Sequence, residues 1–379
     1  MKRKYLIIIS AVLLILIGYV WYHFQYFLQD KKYGSVSTIH TMLVKRSAHT
    51  ATLLNDGRVF LTGGILKVEG IEENNSSTEF YNPGHDTFYR GPEMNIKRAG
   101  HTATLLSNGD VLMTGGFNND GFLKSAELVN LSSGKFERVN GELSEPRSAH
   151  TANLLHDGRV VILGGANGGL KANKYIDVYI PATKSISKIN SLLTARTGHT
   201  ATLLNDGRLL IVGGSQNWRS DVLNTSEIFD PATNTIYQTA KLHVIRNKHA
   251  AVKLRDGKVL IIAGSHEAES IGGRYRTCEL FDPFTNTFRL VKNKLADSRF
   301  KITNAADILS NGNIIVAGDG KYAEVFDAQT QTFHTTSGSV EDAWMYPTVT
   351  TLKDDRVLIA GGYNGNMHPT NKAWVYKLK

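Results

Sequence analysis

The sequence predicts an all-β protein: a seven-bladed β-propeller with four antiparallel strands per blade, preceded by one N-terminal transmembrane helix. Three observations carry this prediction. A motif of about 19 residues recurs seven times along the chain. Each copy contains short apolar segments separated by glycine-rich turns, which is the pattern of strands in a repeated blade. Residues 5–22 form an uninterrupted apolar segment without a charged side chain.

Composition excludes several protein classes before any motif is considered. Hydrophobic residues make up 41% and charged residues 20% of the 379 residues, which excludes a disordered chain. The single cysteine, Cys278, excludes an intramolecular disulfide framework and a cysteine-rich zinc module. Lys2, Arg3 and Lys4 supply three of the nine net positive charges, leaving +6 for the rest (9 − 3). That excess is small and shows no further basic cluster, so no nucleic-acid partner is expected.

The N-terminal apolar segment predicts a membrane anchor. As a helix, residues 5–22 would span about 27 Å, close to the thickness of a bilayer's hydrocarbon core. Aromatic side chains cluster at its C-terminal end and basic ones at its N-terminal end. We therefore expect a cytoplasmic stub and transmembrane helix in residues 1–28, a linker in 29–34, and a cell-membrane protein with its propeller outside. The alternative is a cleaved signal peptide, although no small-x-small cleavage site follows the apolar segment.

The repeats divide residues 35–379 into seven blades that begin near residues 46, 98, 147, 196, 246, 301 and 344. In each copy a strand A leads into a tight turn, usually Asp-Gly or Asn-Gly, whose residues tolerate positive φ. Strand B is continuously apolar, which indicates burial on both faces. Two further strands, C and D, complete the blade. Most copies of strand B end in Gly-Gly, which permits a close approach of the backbone.

The number of strands also predicts how the ring closes. The seventh copy ends after strand C, whereas residues 35–41 precede the first copy at the position of a strand D. We expect this N-terminal segment to complete the last blade, because the sheet would otherwise have an exposed edge.

The repeated motif resembles the kelch repeat, in particular the version in the central domain of the galactose oxidase family. The resemblance rests on Arg-x-x-His, the Asp-Gly turn, Gly-Gly and an acidic strand C, and it covers residues 35–379. Enzymes of that family bind copper through tyrosine, histidine and a cysteine joined to a tyrosine. No such motif matches this sequence, and Cys278 occupies an ordinary strand position. We therefore expect no copper oxidase activity, no metal and no cofactor.

The repeated polar residues are interpreted as structural. Related blades carry equivalent histidines to separate points around a ring, whereas a metal site needs its ligands around one point. Trp344 and Trp374 replace the arginine and the acid together in blade seven, which suggests that the two residues pair within a blade. The structural set is Arg46, His49, Glu79, Arg98, His101, Glu127, Arg147, His150, Asp177, Arg196, His199, Glu227, Arg246, His249 and Glu279, with Glu324 as a further strand C acid.

Candidate binding residues lie where the copies differ. Alternating strand directions place the variable B–C and D–A loops on one face, and binding residues favour loops on a rigid scaffold. Blades six and seven also depart from the repeat on strand A, which we expect to line the channel. The candidates are Trp218, Arg219, His266, Glu267, Arg274, Arg276, Asp307, Trp344, Tyr346, Tyr363 and His368.

Three functions remain open at this stage. The first is a membrane-anchored, extracytoplasmic module that binds a glycan or a protein. The second is a metal-independent carbohydrate-active enzyme, which the resemblance to periplasmic kelch sialate epimerases makes conceivable. It would require titratable groups that converge in the channel, such as Asp307 with Lys301 or Glu267. The third is a scaffold for an envelope complex.

Overall fold

The structure is a computed structural model that describes residues 33–68, 71–167, 171–217, 220–267 and 271–378. The expected transmembrane segment and residues 29–32 of the expected linker lie outside these ranges. Within them, no helix has the length and apolar character needed to cross a membrane.

Seven four-stranded antiparallel sheets confirm the predicted seven-bladed propeller. Strand A contacts strand A of the next blade all the way round, including the contact between blades seven and one, so the ring is closed. The A strands are Thr50–Leu53, Thr102–Leu105, Thr151–Leu154, Thr200–Leu203, Ala250–Lys253, Ala306–Ile308 and Thr348–Thr351. The B strands are Val59–Thr62, Val111–Thr114, Val160–Leu163, Leu209–Val212, Val259–Ile262, Ile314–Val316 and Val357–Ala360.

The outer half of each blade consists of strands C and D. The C strands are Thr78–Asn82, Ala126–Asn130, Tyr175–Ile180, Ser226–Asp230, Cys278–Asp282, Glu324–Asp327 and Ala373–Lys377. The D strands of blades one to six are Thr87–Arg90, Lys135–Arg138, Ser185–Ser191, Thr235–Gln238, Thr287–Leu290 and Thr332–Thr335. Two B–C loops contain small hairpins, Ile65–Val68 with Ile71–Asn74 and Phe117–Asn118 with Gly121–Phe122, and a third contains the 3-10 helix Ile271–Gly273.

The N-terminal strand completes the last blade, as predicted. Ser35–Thr38 pairs antiparallel with Ala373–Lys377, in a register that places Ser35 opposite Lys377. The preceding residue Tyr33 is buried, stacks on His334 at 3.7 Å and accepts a hydrogen bond from the Tyr376 hydroxyl at 3.1 Å. The first described residues are therefore firmly attached to blades six and seven.

Apolar packing between blades holds the ring together. Every strand B is fully buried, and its side chains join clusters shared by neighbouring blades. Blade five carries the cysteine in this packing: Cys278 is fully buried, which raises the pKa of its thiol to about 12. A thiol in that environment is unreactive near neutral pH, so Cys278 is a packing residue.

Candidate functional site: the loop face

The propeller has two unlike faces. The A–B turns and C–D turns form one, which we call the hairpin face. The B–C and D–A loops form the other, which we call the loop face. The hairpin face contains short, similar turns, whereas the loop face contains the segments that differ between blades. Strand A begins at the loop face, so residues just before it surround the mouth of the central channel.

Buried ion pairs lie beneath the loop face in blades one to six. Each joins the arginine that precedes strand A to the acid of strand C in the same blade, and every arginine side chain is inaccessible to solvent. The pairs are Arg46–Glu79 (2.6 Å), Arg98–Glu127 (3.1 Å), Arg147–Asp177 (2.6 Å), Arg196–Glu227 (2.5 Å), Arg246–Glu279 (2.8 Å) and Arg299–Glu324 (2.8 Å). The expected pairing within a blade is therefore present.

The same carboxylates fix the D–A loops. In blade four, Glu227 accepts hydrogen bonds from the N–H groups of Leu193 (2.9 Å) and Thr194 (3.0 Å), in addition to its pair with Arg196. Glu79, Glu127, Asp177, Glu279 and Glu324 accept equivalent loop N–H groups in their own blades. A carboxylate bonded on several sides holds its donors in one geometry. The ion pairs therefore pre-organise the loop face as well as satisfying buried charge.

Sequence reasoning missed the arginine of blade six. The turn glycine is the eleventh residue after the arginine in blade one (Arg46 to Gly57) but the thirteenth in blade six (Arg299 to Gly312). The repeat spacing therefore aligned Lys301 with the arginine position. Glu324, an acid without an assigned partner, was the available signal. In blade seven, Trp344 packs against Trp374 instead, with ring centroids 6.1 Å apart.

The repeated histidines form contacts between blades. In each case Nε2 lies within hydrogen-bond distance of a threonine hydroxyl of the preceding blade, as with His101 and Thr62 at 2.8 Å. The equivalent contacts are His49–Thr348, His150–Thr114, His199–Thr151 and His249–Thr200. Burial lowers the pKa of His101 and of His199 to about 3, and the nearby arginines reinforce this shift. These histidines are neutral structural groups.

The second residue after each arginine position lies at the channel mouth. Backbone hydrogen bonds connect these residues from blade to blade. All seven residues there have φ between +48° and +60°. From blade one to blade five, the N–H of each such residue donates to the carbonyl of the equivalent residue in the preceding blade. Gly100, for example, donates to Ala48 at 2.9 Å. The side chains are small in four blades and large in three: Ala48, Gly100, Ala149, Gly198, Lys248, Lys301 and Tyr346. The mouth is therefore asymmetric, and its wall of large side chains lies on blades five to seven.

Lys301 is the centre of an aromatic cluster in this wall. Its Nζ donates to the Tyr363 hydroxyl at 2.8 Å and lies 5.4–5.8 Å from the ring centroids of Phe300, Tyr346 and Tyr363. Lys248 approaches the Phe300 ring as well, at 5.3 Å. An ammonium group at such distances is attracted by the negative faces of the rings. The structure thus brings together Tyr346 and Tyr363, two of the predicted candidates, with Lys301, Lys248 and Phe300.

The other candidates on blade five have varied positions. His266 and Glu267 are partly exposed, with Nε2 and Oε1 3.7 Å apart, and the His266 ring lies 5.5 Å from that of Tyr275. Arg276 donates through Nε to the carbonyl of Leu295 at 2.6 Å. Arg274 pairs with Asp319, a residue that sequence reasoning did not single out.

The remaining candidates divide between buried and exposed positions. Trp344 is buried, and its indole donates to the carbonyl of Val340 at 2.7 Å. Asp307 accepts from the backbone N–H groups of Ile308 and Thr351, both at 2.8 Å, so it links blades six and seven. His368 lies on an exposed part of the blade-seven loop. Trp218 and Arg219 lie outside the described residues.

Half of the exposed large hydrophobic side chains among the described residues belong to the loop face. Leu43, Leu193 and Ile245 lie on D–A loops, 51%, 56% and 39% exposed, while Tyr322 and Met367 lie on B–C loops. The hairpin face contributes Phe284, which is 96% exposed. These side chains lie on loops of five different blades, where they are accessible to another molecule.

Among the described residues, the histidine and cysteine side chains do not converge on one metal site. The repeated histidines contact separate threonines, and the thiol of Cys278 is buried within its sheet. Across the described ranges, no group of three or more histidine, cysteine, aspartate or glutamate side chains is close enough to hold a metal ion.

Comparison with known proteins agrees with this geometry. A family model described as the KLHDC2/KLHL20/DRC7 Kelch-repeats domain matches residues 100–319, more than half of the sequence. The chain belongs to this kelch-repeat family. Among curated proteins, none matches this kelch chain.

Solved structures share the fold of this chain. One is described as a novel fungal alcohol oxidase with catalytic diversity among the AA5 family, in complex with copper. It is 14% identical, with a TM-score of 0.68, and the match covers 91% of this chain and 76% of that one. In all, 1072 solved chains match, so the likeness identifies a widespread fold and carries no information on activity.

Proposed function

We propose that this protein is a membrane-tethered, extracytoplasmic kelch propeller that binds a protein partner through its loop face. The observation that carries the proposal is the combination of exposed apolar side chains with loops fixed from below. Leu193 illustrates it: its side chain is 56% exposed while its N–H is bonded to the buried carboxylate of Glu227. Pre-organised contact groups lose little entropy on binding, which favours recognition by such a surface.

The direction of the closing strand supports an orientation relative to the membrane. Ser35–Thr38 is a strand D, so its first residue lies at the hairpin face and its last at the loop face. Tyr33 is attached to the ring, and residues 29–32 can extend at most about 14 Å. With the membrane segment ending near residue 28, as the sequence predicts, the hairpin face is directed toward the membrane and the loop face away from it.

Location can be tested with one engineered cysteine. Phe284→Cys places a thiol at a position that is 96% exposed in the native protein. In intact cells, a membrane-impermeant maleimide should label this variant, whereas the wild-type chain should remain unlabelled because Cys278 is buried. Labelling that occurs only after the cells are permeabilised would contradict an extracytoplasmic propeller.

Binding can be tested by photo-crosslinking in native membranes. A photoreactive amino acid at Leu193 or Ile245 should form a crosslink to one discrete protein, and the same group at Phe284 on the hairpin face is the matched control. Equal crosslinking at all three positions, or none at the loop-face positions, would contradict the proposal.

A glycan is the second candidate ligand. The observation that favours it is the partly exposed Tyr346 ring beside the Lys301 ammonium, since an aromatic face with an adjacent polar group suits a sugar. A glycan array with the purified protein tests this alternative. Binding that Tyr346→Ala abolishes, together with absent protein crosslinks, would replace the protein partner with a glycan.

The structure gives the enzymatic alternative no specific support. Asp307 is bonded to backbone N–H groups of Ile308 and Thr351, whereas Lys301 donates to Tyr363. Asp307 and Lys301, two of the three groups considered for acid–base chemistry, thus have different partners, and Glu267, the third, lies 3.7 Å from His266.

A further inference from the structure

Residue 319 departs from a rule that the other six blades obey. The seventh residue after the A–B turn glycine, or after Asp355 in blade seven, is a glycine with φ between +88° and +102° in those blades: Gly64, Gly116, Gly165, Gly214, Gly264 and Gly362. Each donates its N–H to the carbonyl at the arginine position of the next blade. Asp319 occupies this position in blade six, with φ of +49°, and donates to the carbonyl of Trp344 at 2.7 Å.

A side chain is incompatible with this position elsewhere in the ring. A Cβ at any of the six glycines would lie 2.7–3.0 Å from a backbone carbonyl oxygen. In blade six, the segment between Arg299 and Gly312 is two residues longer than in the other arginine-containing blades, and Asp319 packs beside it. An aspartate that is both buried and in the left-handed region costs folding free energy, and such residues concentrate at functional sites.

The Asp319 carboxylate connects two blades at the loop face. Oδ2 accepts from the N–H of Phe300 at 2.7 Å, and Oδ1 lies 3.0 Å from Nη1 of Arg274 on the blade-five loop. The Asp319 side chain is fully buried and that of Arg274 is 20% exposed. Among the described residues, neither Asp319 Oδ1 nor Arg274 Nε has a correctly aligned hydrogen-bond partner. The contact is therefore electrostatic and incompletely satisfied.

Three cations act on Asp319, and one carboxylate, that of Asp297, lies beside the adjacent Gly320. Arg274 approaches from blade five, while Arg299 and Lys301 approach from the start of blade six. Burial nevertheless raises the pKa of Asp319 to about 7, against the lowering effect of these cations and of the Phe300 N–H. The charge on Asp319 therefore changes close to physiological pH.

We propose that Asp319 is a proton-controlled latch, which when ionised fastens the Arg274 segment of blade five to blade six beside the Lys301 cluster. This regulation rests on the proposed function, because the latched segment belongs to the face that binds the partner. In this proposal Asp319 stays buried against the Phe300 N–H when the Arg274 segment moves, so proton uptake removes only the charge that attracts Arg274, and the segment detaches in mildly acidic surroundings. No ligand is needed for the latch to operate.

Hydrogen exchange on the purified full chain tests the latch without a partner. Amide exchange in residues 271–276, corrected for its intrinsic pH dependence, should slow severalfold between pH 6 and pH 8 in the wild type. Asp319→Asn retains the shape and the positive φ but cannot ionise, so its corrected exchange should not change with pH. A wild type without a transition, or an Asp319→Asn variant that keeps it, would overturn the proposal.

Two further variants test whether Asp319 itself causes the pH-dependent transition. His266→Gln removes a nearby imidazole and should retain the transition, and loss of the transition in this variant would overturn the role of Asp319. Asp319→Gly introduces the glycine found at this position in the other six blades, so this variant is expected to fold. Its corrected exchange, like that of Asp319→Asn, should not change with pH.

Crosslinking at Leu193 distinguishes this proposal from the proposed function. In the wild type, the yield should be higher at pH 8 than at pH 6, and Asp319→Asn should remove that difference. A crosslink whose yield depends on pH equally in both chains would overturn the latch while leaving the protein partner in place.

Discussion

Arg299 and Glu324 form a buried ion pair at 2.8 Å, completing a series that includes every blade from one to six. Arg299 also donates to the carbonyls of Gly318 (2.6 Å) and Tyr322 (2.7 Å), so the guanidinium is nearly saturated. Removal of the arginine would leave a buried carboxylate without its counter-ion.

Arg299→Met should therefore lower the free energy of unfolding by about 3–5 kcal/mol. Lys301, which occupies the arginine's expected place in the repeat, is partly exposed and is not part of the pair, so Lys301→Met should cost less than half as much. Urea unfolding of both variants provides the measurement. Equal losses would contradict the assignment of Arg299 as the structural arginine.

Glu227→Gln should both destabilise blade four and release its D–A loop. The carboxylate pairs with Arg196 and accepts from Leu193 and Thr194, so we expect a loss of about 3–5 kcal/mol and faster amide exchange at those two residues. The control is Asp206→Asn, which breaks the exposed Asp206–Arg208 pair and should cost less than about 1 kcal/mol. Unchanged exchange at Leu193 would show that the pair does not position the loop.

The buried histidines should make the protein sensitive to acid. Because burial lowers their pKa values in the folded state, the unfolded chain takes up protons first, and stability is lost as pH falls from about 6.5 toward about 3. His101→Gln should reduce the dependence of the unfolding free energy on pH by about 1.4 kcal/mol per pH unit between pH 6 and pH 4. His368→Gln, which removes an exposed imidazole, is the control. An unchanged slope in His101→Gln would mean that His101 is not a buried neutral group.

Asp319 should have the opposite pH dependence. Its pKa is raised in the folded state to about 7, so the folded chain retains a proton that the unfolded chain releases above about pH 4. Its contribution to stability is therefore greatest at low pH and is lost as pH rises toward 7. Asp319→Asn should be more stable than the wild type at pH 8, by up to about 4 kcal/mol, with a smaller difference at pH 5. Thermal unfolding at the two pH values measures this, and a variant less stable at pH 8 would contradict a raised pKa.

The sequence predicted those features that the repeat itself encodes. Blade number, strand order, the closing strand and the Arg196–Glu227 type of pair follow from periodicity, because equivalent residues have equivalent partners. Arg299 escaped prediction because two extra residues shift blade six out of the common spacing. The contacts of Asp319 with Arg274 and of Lys301 with Tyr363 connect different blades through residues that are not repeated, so no period predicts them.

An engineered disulfide across the last blade tests the closed ring most directly. Ser35 and Lys377 are directly paired on adjacent strands, so Ser35→Cys with Lys377→Cys should form a disulfide under mild oxidation and raise the unfolding midpoint. Thr38→Cys with Lys377→Cys is three residues out of register, about 10 Å apart along the strand, and should remain reduced. The account predicts a disulfide in the first pair alone, detected by mass spectrometry of the full chain. A disulfide in the second pair, or in neither, would contradict a ring closed by the N-terminal strand.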